Sequence, residues 1–506
     1  MKTRHFILTL LHTLLTLSPL FSKTQALDHK KSLLFQNQCM NLKKFVVSKS
    51  YQVDCFYHYH HFYKKDIRPS RKVPSFKMAA ANLFHPGNAK TLFKDYALMA
   101  EMLNQWDLVT AVELLPVIGK DKHHNKALLK FLSKPDLTRK EIQEAKTLFR
   151  SPGYLKLLTQ LQKLDPSWSL ILSPRGEALK EAHVQELSGF YYRRSKVRPK
   201  VNEFCDQLAE AKGPFNFACL PPFDGHFLQK KERPFFSRRP FMGSFQVGHF
   251  DFTLLATHVI YTSPKDPSQM KSILKKSFEV DNHKKLGRGL TKSNYARFSE
   301  IKTTLEFMEK LREKFQEKDI ILLGDFNIEA KNPFFKVVLN QFPGGEVLIK
   351  KPTSLTLGKK NKNGLTGGFS SNYDHFLLDP FYSRECFNDE GDPNAQKFNF
   401  FKGKIGQKVE TKYIIRHPET LKISSKNWSK MKTRVRALGR FLKKKKTIKR
   451  NKIVPDSRRS ALILENFKKR VFMNQQNEKK YYQVYKEVLS DHAPIEMKCQ
   501  SEHDDD

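Results

Sequence analysis

Apolar and polar positions follow two rhythms along this chain, and their succession predicts a mixed α and β domain. Short apolar runs suited to buried strands occur at Ser75–Asn82, Leu108–Glu113, Trp168–Ser173, Gly189–Tyr192 and Ile320–Leu323. Arg239–Val247 and Phe250–His258 read as the two strands of a hairpin. Another strand opens at Asp374 after a turn over Gly367–Tyr373. A last strand is expected over Tyr482–Ser490, with a shorter one following His492. Apolar residues at helical spacing predict helices over Tyr96–Asn104 and over residues 293–315. Residues Lys120–Lys163 read as an inserted, basic helical pair, broken at Ser133-Lys134-Pro135-Asp136 and at Ser151-Pro152-Gly153.

The strand ends carry the polar residues of interest. After the four apolar residues Ile320–Leu323, Gly324 is expected to turn the backbone, and Asp325 and Asn327 follow. On an extended backbone that spacing places both side chains on one face. There an amide can orient a phosphate or a water while the acid holds a metal or a proton. The plain alternative is a strand that closes in an Asx-type turn. Asn82, Glu113 and His258 end other strands. A glutamate closing an apolar run needs a partner or a cation if it is buried, although Glu113 equally suits the start of a loop. Polar residues repeated at strand ends are how α/β scaffolds build a site along one sheet edge.

Charge narrows the partners. The 506 residues carry a net charge of +40, which attracts polyanions such as nucleic acid, anionic lipid or acidic glycans. Residues 401–480 hold 26 Lys and Arg against 5 Asp and Glu, including Lys443, Lys444, Lys445 and Lys446 in succession. This segment reads either as a solvated insertion or as a polyanion-binding arm, and charge so concentrated favours the arm. Lys2 and Arg4, the apolar run from Phe6 and the small residue Ala26 form the pattern of a secretory signal cleaved near Ala26. That places the mature protein outside the cell or in a periplasm. Residues 27–74 form a basic, aromatic extension, and 501–506 an acidic tail.

Six cysteines suit an oxidising compartment. Spacing alone leaves their pairing open; nearness suggests Cys39–Cys55 and Cys205–Cys219, leaving Cys386–Cys499. No Cys/His cluster suggests zinc, and His58-Tyr59-His60-His61 reads as surface decoration.

Taken in order, Asn82, Glu113, Glu186, His258, Gly324-Asp325-Phe326-Asn327, Asp374 and Ser490-Asp491-His492 form a set that resembles the endonuclease/exonuclease/phosphatase superfamily. Within it the likeness is to deoxyribonuclease I-like secreted nucleases, and it covers residues 75–500 outside insertions at about 120–165 and 400–480. The resemblance implies an α+β fold, a four-layer sandwich of two packed mixed sheets flanked by helices. It also implies hydrolysis of phosphodiesters or phosphomonoesters with Mg²⁺, with Ca²⁺ or Mn²⁺ as alternatives.

Carried over residue by residue, Glu113, Asn82 and Asp491 resemble the metal-binding residues. His258 and His492 resemble the paired catalytic histidines, oriented by Glu186 and Asp374. Asp325 and Asn327 resemble the pair that positions the phosphate and the attacking water. Arg193, Asn372 and the Lys443–Lys446 run are expected to contact substrate. The Cys205–Cys219 loop falls where those nucleases carry a small disulfide loop. His492 with Asp374 is assigned to the base side and His258 with Glu186 to the acid side; the reverse, or Asp325 as base, fits the same residues. His375 departs from the pattern, standing where these nucleases often carry arginine.

The resulting expectation is a secreted, monomeric, metal-dependent nuclease with little sequence preference, acting on DNA. The alternatives are an RNA-directed nuclease, a sphingomyelinase-type lipid phosphodiesterase on anionic membrane, and a non-catalytic polyanion-binding protein.

Overall fold

A computed structural model describes residues 70, 72–86, 94–115, 153–173, 186–211, 217–221, 236–315, 317–360, 366–413 and 479–504. The expected signal segment, Cys39, Cys55, the His58–His61 string and Lys443–Lys446 lie outside the described residues.

The strands are β1 (Ser75–Asn82), β2 (Leu108–Leu114), β3 (Trp168–Leu172), β4 (Leu187–Arg193) and β5 (Val197–Pro199). They continue with β6 (Ala218–Cys219), β7 (Phe241–Val247), β8 (Phe250–His258), β9 (Ile320–Asp325) and β10 (Glu346–Val347). The remainder are β11 (Ser354–Lys360), β12 (Thr366–Ser371), β13 (Asp374–Leu378), β14 (Ala395–Lys397) and β15 (Ile495–Gln500). The helices are α1 (Tyr96–Leu103), α2 (Gly153–Leu164), α3 (Glu203–Ala211) and α4 (Pro267–Phe278). They are followed by α5 (Tyr295–Phe315), α6 (Pro333–Leu339), α7 (Gly403–Tyr413) and α8 (Lys479–Val488).

Two mixed sheets result. One runs β14-β15-β1-β2-β4-β3, with β1 and β2 parallel and its other neighbours antiparallel. The other runs β10-β13-β9-β8-β7-β5, with β6 beside β7 and only β8 and β9 parallel.

Strand alternation explains how they stack. In β1, Phe76, Met78 and Ala80 face the space between the sheets, while Ala79 and Ala81 face helices. In β9, Ile321 and Leu323 face the same inner layer, and Ile320 and Leu322 face the opposite helices. Helices α1, α2, α7 and α8 cover the first sheet, and α3, α4, α5 and α6 the second. The order is therefore helix, sheet, sheet, helix, the expected four-layer sandwich. Phe76 stacks on Phe252 across the inner layer at 5.3 Å, and each such buried ring contributes about 1.5–3 kcal/mol.

Cystines join Cys205 to Cys219, as nearness suggested, and Cys386 to Cys499, the pair it left over. Among the described residues no helix is long and apolar enough to cross a membrane.

Three local expectations change. Most of the expected turn over Gly367–Tyr373 is strand β12, which pairs with β11 in a separate two-stranded sheet. Residues approaching Ser490 form helix α8, not a strand. Val484, Tyr485 and Val488 are buried at helical spacing, and Gln483 bonds Glu487 one turn on at 2.7 Å. Gly324 does not turn the chain; it lies inside β9 at φ +131°, where a Cβ would stand 2.1 Å from the Thr257 carbonyl oxygen. Glycine is required there for close approach of two strands.

Candidate active site

The strand register assembles the site. Asp325, at the end of β9, pairs with His258 of parallel β8 on one side and with Asp374 of antiparallel β13 on the other. Three polar residues distant in sequence thus stand in one row. From the facing sheet come Asn82, which ends β1, and Glu113 near the end of β2. Glu113 sits in a β-bulge at φ +60°, where Ala111 pairs with Gly189 and Leu114 with Leu187. The extra residue re-aims the strand end.

Asn82 joins the two sheets. Its Nδ2 donates to Glu113 Oε1 at 2.8 Å and to Asp325 Oδ2 at 3.1 Å, while its Oδ1 accepts Phe84 N–H at 2.9 Å. The Ser490 hydroxyl donates to the Asn82 carbonyl at 2.5 Å and ties the Asp491-His492 loop to the same strand.

Two histidine–carboxylate dyads flank Asp325. His258 Nδ1 donates to Glu186 Oε2 at 2.8 Å, and its Nε2 lies 3.5 Å from Glu113 Oε1 and 3.9 Å from Asp325 Oδ2. His492 Nδ1 donates to Asp374 Oδ2 at 2.7 Å and lies 3.7 Å from Asp325 Oδ2. Burial lowers the His492 pKa, but the charges of Asp374 and Asp325 outweigh it and hold the ring well above its ordinary value. His258 is likewise buried, and its bond to Glu186 leaves its pKa raised. Glu186 is buried too, yet hydrogen bonds from His258 and His85 and the charge of Arg238 hold it well below the carboxylate range. Burial raises the Asp325 pKa.

Glu113, His258 and Asp325 bring one ligand atom each within 4.8 Å of one another, and so do Asp325, Asp374 and His492. Glu113 Oε2 and Asp491 Oδ1 are buried with no hydrogen-bond partner among the described residues. Two carboxylate oxygens buried in this state suit a divalent cation. Asn82 fits it less directly, because its amide orients Glu113 and Asp325.

Asn327 takes the plainer of the two readings of its motif. It has φ +52°, its N–H donates to Asp325 Oδ1 at 2.9 Å, and its Nδ2 donates to the Val259 carbonyl at 2.8 Å. That is an Asx-type turn, and it leaves Asn327 off the extended path.

Two of the other expected contact residues are engaged within the fold. Arg193 ends β4 at the opposite end from Glu186, about 20 Å along the strand by the usual rise per residue. It pairs with Asp165 and Asp107 and lies 4.8 Å from the Trp168 ring centroid, so it is a structural clamp. Asn372 holds Ala330 N–H at 3.2 Å and the Lys351 carbonyl at 2.8 Å, so its side chain is engaged by the fold. His375 faces away from Asp374, fully buried, with Nε2 donating to the Ile328 carbonyl at 2.8 Å. Burial pulls its pKa down to about 4, which favours the neutral ring.

Several residues join the site without a sequence motif. Arg238 Nε meets Glu186 Oε2 at 2.7 Å. His85, in left-handed backbone at φ +53°, places Nε2 3.0 Å from Glu186 and 3.4 Å from Glu113. Lys486 Nζ holds Asp491 Oδ2 at 2.8 Å. Glu300 of α5 accepts Ser237 N–H at 2.7 Å and Ile260 N–H at 3.0 Å, stapling the loop of Arg238 to the loop after His258.

No protein-family model matches the chain, and no curated protein does. The similar solved structures include proteins described as endonuclease/exonuclease/phosphatase family members. A family protein from Bacteroides thetaiotaomicron is 14% identical over 62% of this chain and 83% of its own, with a TM-score of 0.32. The human Nocturnin catalytic domain with bound sulfate is 11% identical over 61% and 87%, with a TM-score of 0.30. TDP2 from D. rerio, complexed with single-strand DNA product, is 13% identical over 65% and 89%, with a TM-score of 0.29.

Proposed function

We propose that this chain is a metal-dependent phosphodiesterase of the endonuclease/exonuclease/phosphatase superfamily, and that its substrate is DNA. The carrying observation is the convergence of two histidine–carboxylate dyads, His258–Glu186 and His492–Asp374, on Asp325. Phosphodiester hydrolysis needs one group to take a proton from water and another to give one to the leaving oxygen. A buried histidine locked through Nδ1 presents Nε2 for either task.

In this reading His492 takes the proton and Asp374 stabilises the imidazolium that forms. His258 donates from Nε2, and Glu186 fixes its tautomer. Asn327 and Asp325 orient the water and the phosphate. Glu113 and Asp491, with Asp325 beside them, would hold Mg²⁺, a hard cation that prefers oxygen ligands. When bound, the cation supplies charge neutralisation for the phosphate oxygens and for Asp325, whose charge helps hold the His492 pKa high.

The choice of DNA rests on charge. A net charge of +40, with 26 basic residues in 401–480, suits a phosphate backbone, and no motif supplies base-edge readout. The expected signal segment and the two cystines suit secretion.

Supercoiled plasmid incubated with the purified protein in Mg²⁺, with and without EDTA, tests this. Nicking that EDTA stops is the expected result. Intact plasmid with a folded protein overturns the DNA assignment and directs the assay to RNA and then to sphingomyelin vesicles.

A further inference from the structure

Tyr261 follows His258 by three residues on the loop leaving β8, and it is 61% exposed. An exposed tyrosine on a loop is by itself ordinary. The way this one is held is not. Arg297, in the first turn of α5, donates from Nε to the Tyr261 carbonyl at 2.9 Å and from Nη2 to the same oxygen. Its Nη1 donates to the Asn327 carbonyl at 2.5 Å. The guanidinium carbon stands 5.1 Å from the Tyr261 ring centroid.

One arginine therefore fixes two loops relative to one another: the loop after His258 and the turn at Asn327. It leaves an aromatic ring largely in solvent with a cation beside it. Folding alone gains little from presenting that ring. A nucleic acid strand gains a flat, fixed surface a single side chain away from Asn327.

We propose that Tyr261 is a stacking platform for a nucleobase adjacent to the scissile phosphate, with Arg297 setting its position relative to Asn327. The proposal rests on the nuclease reading above and adds a subsite to it. Stacking on an aromatic ring tolerates any base, because every base has a π-face. Such a platform grips the strand without reading its sequence.

Binding of a labelled single-stranded DNA oligonucleotide, followed by anisotropy at fixed salt in a His258→Ala background, tests the platform. Tyr261→Ala is expected to raise Kd about thirtyfold, the middle of the range for loss of one base–aromatic stack, and Tyr261→Phe to restore it. On the same oligonucleotide with abasic units throughout, the Tyr261→Ala and Tyr261 proteins should bind alike. An equal loss on both strands, or no loss on either, overturns the platform. A protein with intact Tyr261 and His258 that nicks plasmid, while Tyr261→Ala changes no affinity, sinks this subsite alone. One that neither binds nor nicks DNA sinks the nuclease reading and the platform together.

Discussion

His258 Nδ1 lies 2.8 Å from Glu186 Oε2, although 72 residues separate them in sequence. Glu186 also pairs with Arg238 Nε at 2.7 Å, so one carboxylate fixes a histidine tautomer and anchors a neighbouring loop. Glu186→Gln keeps the shape but removes the charge. In the proposed mechanism kcat for plasmid nicking should fall by about a hundredfold or more, with KM little changed. Steady-state assays with circular dichroism as a folding control check this, and retention of full activity would sink the acid-side assignment.

Thr353 connects the elements of the second dyad. Its Oγ1 accepts the N–H groups of Tyr373 and Asp374 at 3.2 and 3.1 Å, and its carbonyl accepts Ala493 N–H at 2.9 Å. Thr353→Val removes the hydroxyl at nearly constant volume and should lower kcat by about tenfold to a hundredfold through misplacement of Asp374. Thr353→Ser retains the acceptor and should recover most of it. Parallel kinetics of the two variants decide the point.

Gly324→Ala introduces a Cβ 2.1 Å from the Thr257 carbonyl oxygen at φ +131°. Backbone must shift in the two strands that carry His258 and Asp325. A loss of roughly 2–4 kcal/mol is expected, read as a lower Tm and an earlier denaturation midpoint.

The metal-free protein should depend on pH through His492. Its folded pKa is raised from 6.5, so the stabilisation is fully present below that value and is lost as pH rises through the folded pKa. In EDTA, Tm should therefore fall as pH rises above 6.5. Asp374→Asn removes a carboxylate that raises the pKa and should flatten the profile. Differential scanning calorimetry across pH tests the sign; a Tm that rises over this window contradicts it.

Replacing residues 414–478 with a short flexible linker removes most of the basic arm. Helices α7 and α8, which bracket it, pack in one core, with Tyr485 Oη bonded to the Gly406 carbonyl at 3.3 Å. Plasmid nicking should persist, while the slope of log affinity against log salt becomes shallower. An unchanged slope would show that the arm does not touch the phosphate backbone.

Much of this is legible in the sequence. Single strands and helices were legible wherever apolar periodicity was undivided, as in β1, β9 and α5. The α8 segment reads as a strand in sequence because Tyr482, Val484 and Val488 also satisfy alternation, and only burial separates the two periods. The chain itself determined that polar residues close several buried strands, that cysteines stand near enough to pair, and that positive charge is concentrated in one segment, since each is a property of neighbouring residues.

Which strand ends meet was decided by the tertiary structure alone. Parallel pairing of β8 with β9 and antiparallel pairing of β13 with β9 set His258, Asp325 and Asp374 in one row. The same packing sent Arg193 to the far end of its strand and brought Arg238, His85 and Thr353 to the site, though no local motif marks them. Sequence spacing fixes which face of a strand a side chain takes. Register between strands, set by burial of the whole sheet, fixes what that side chain touches.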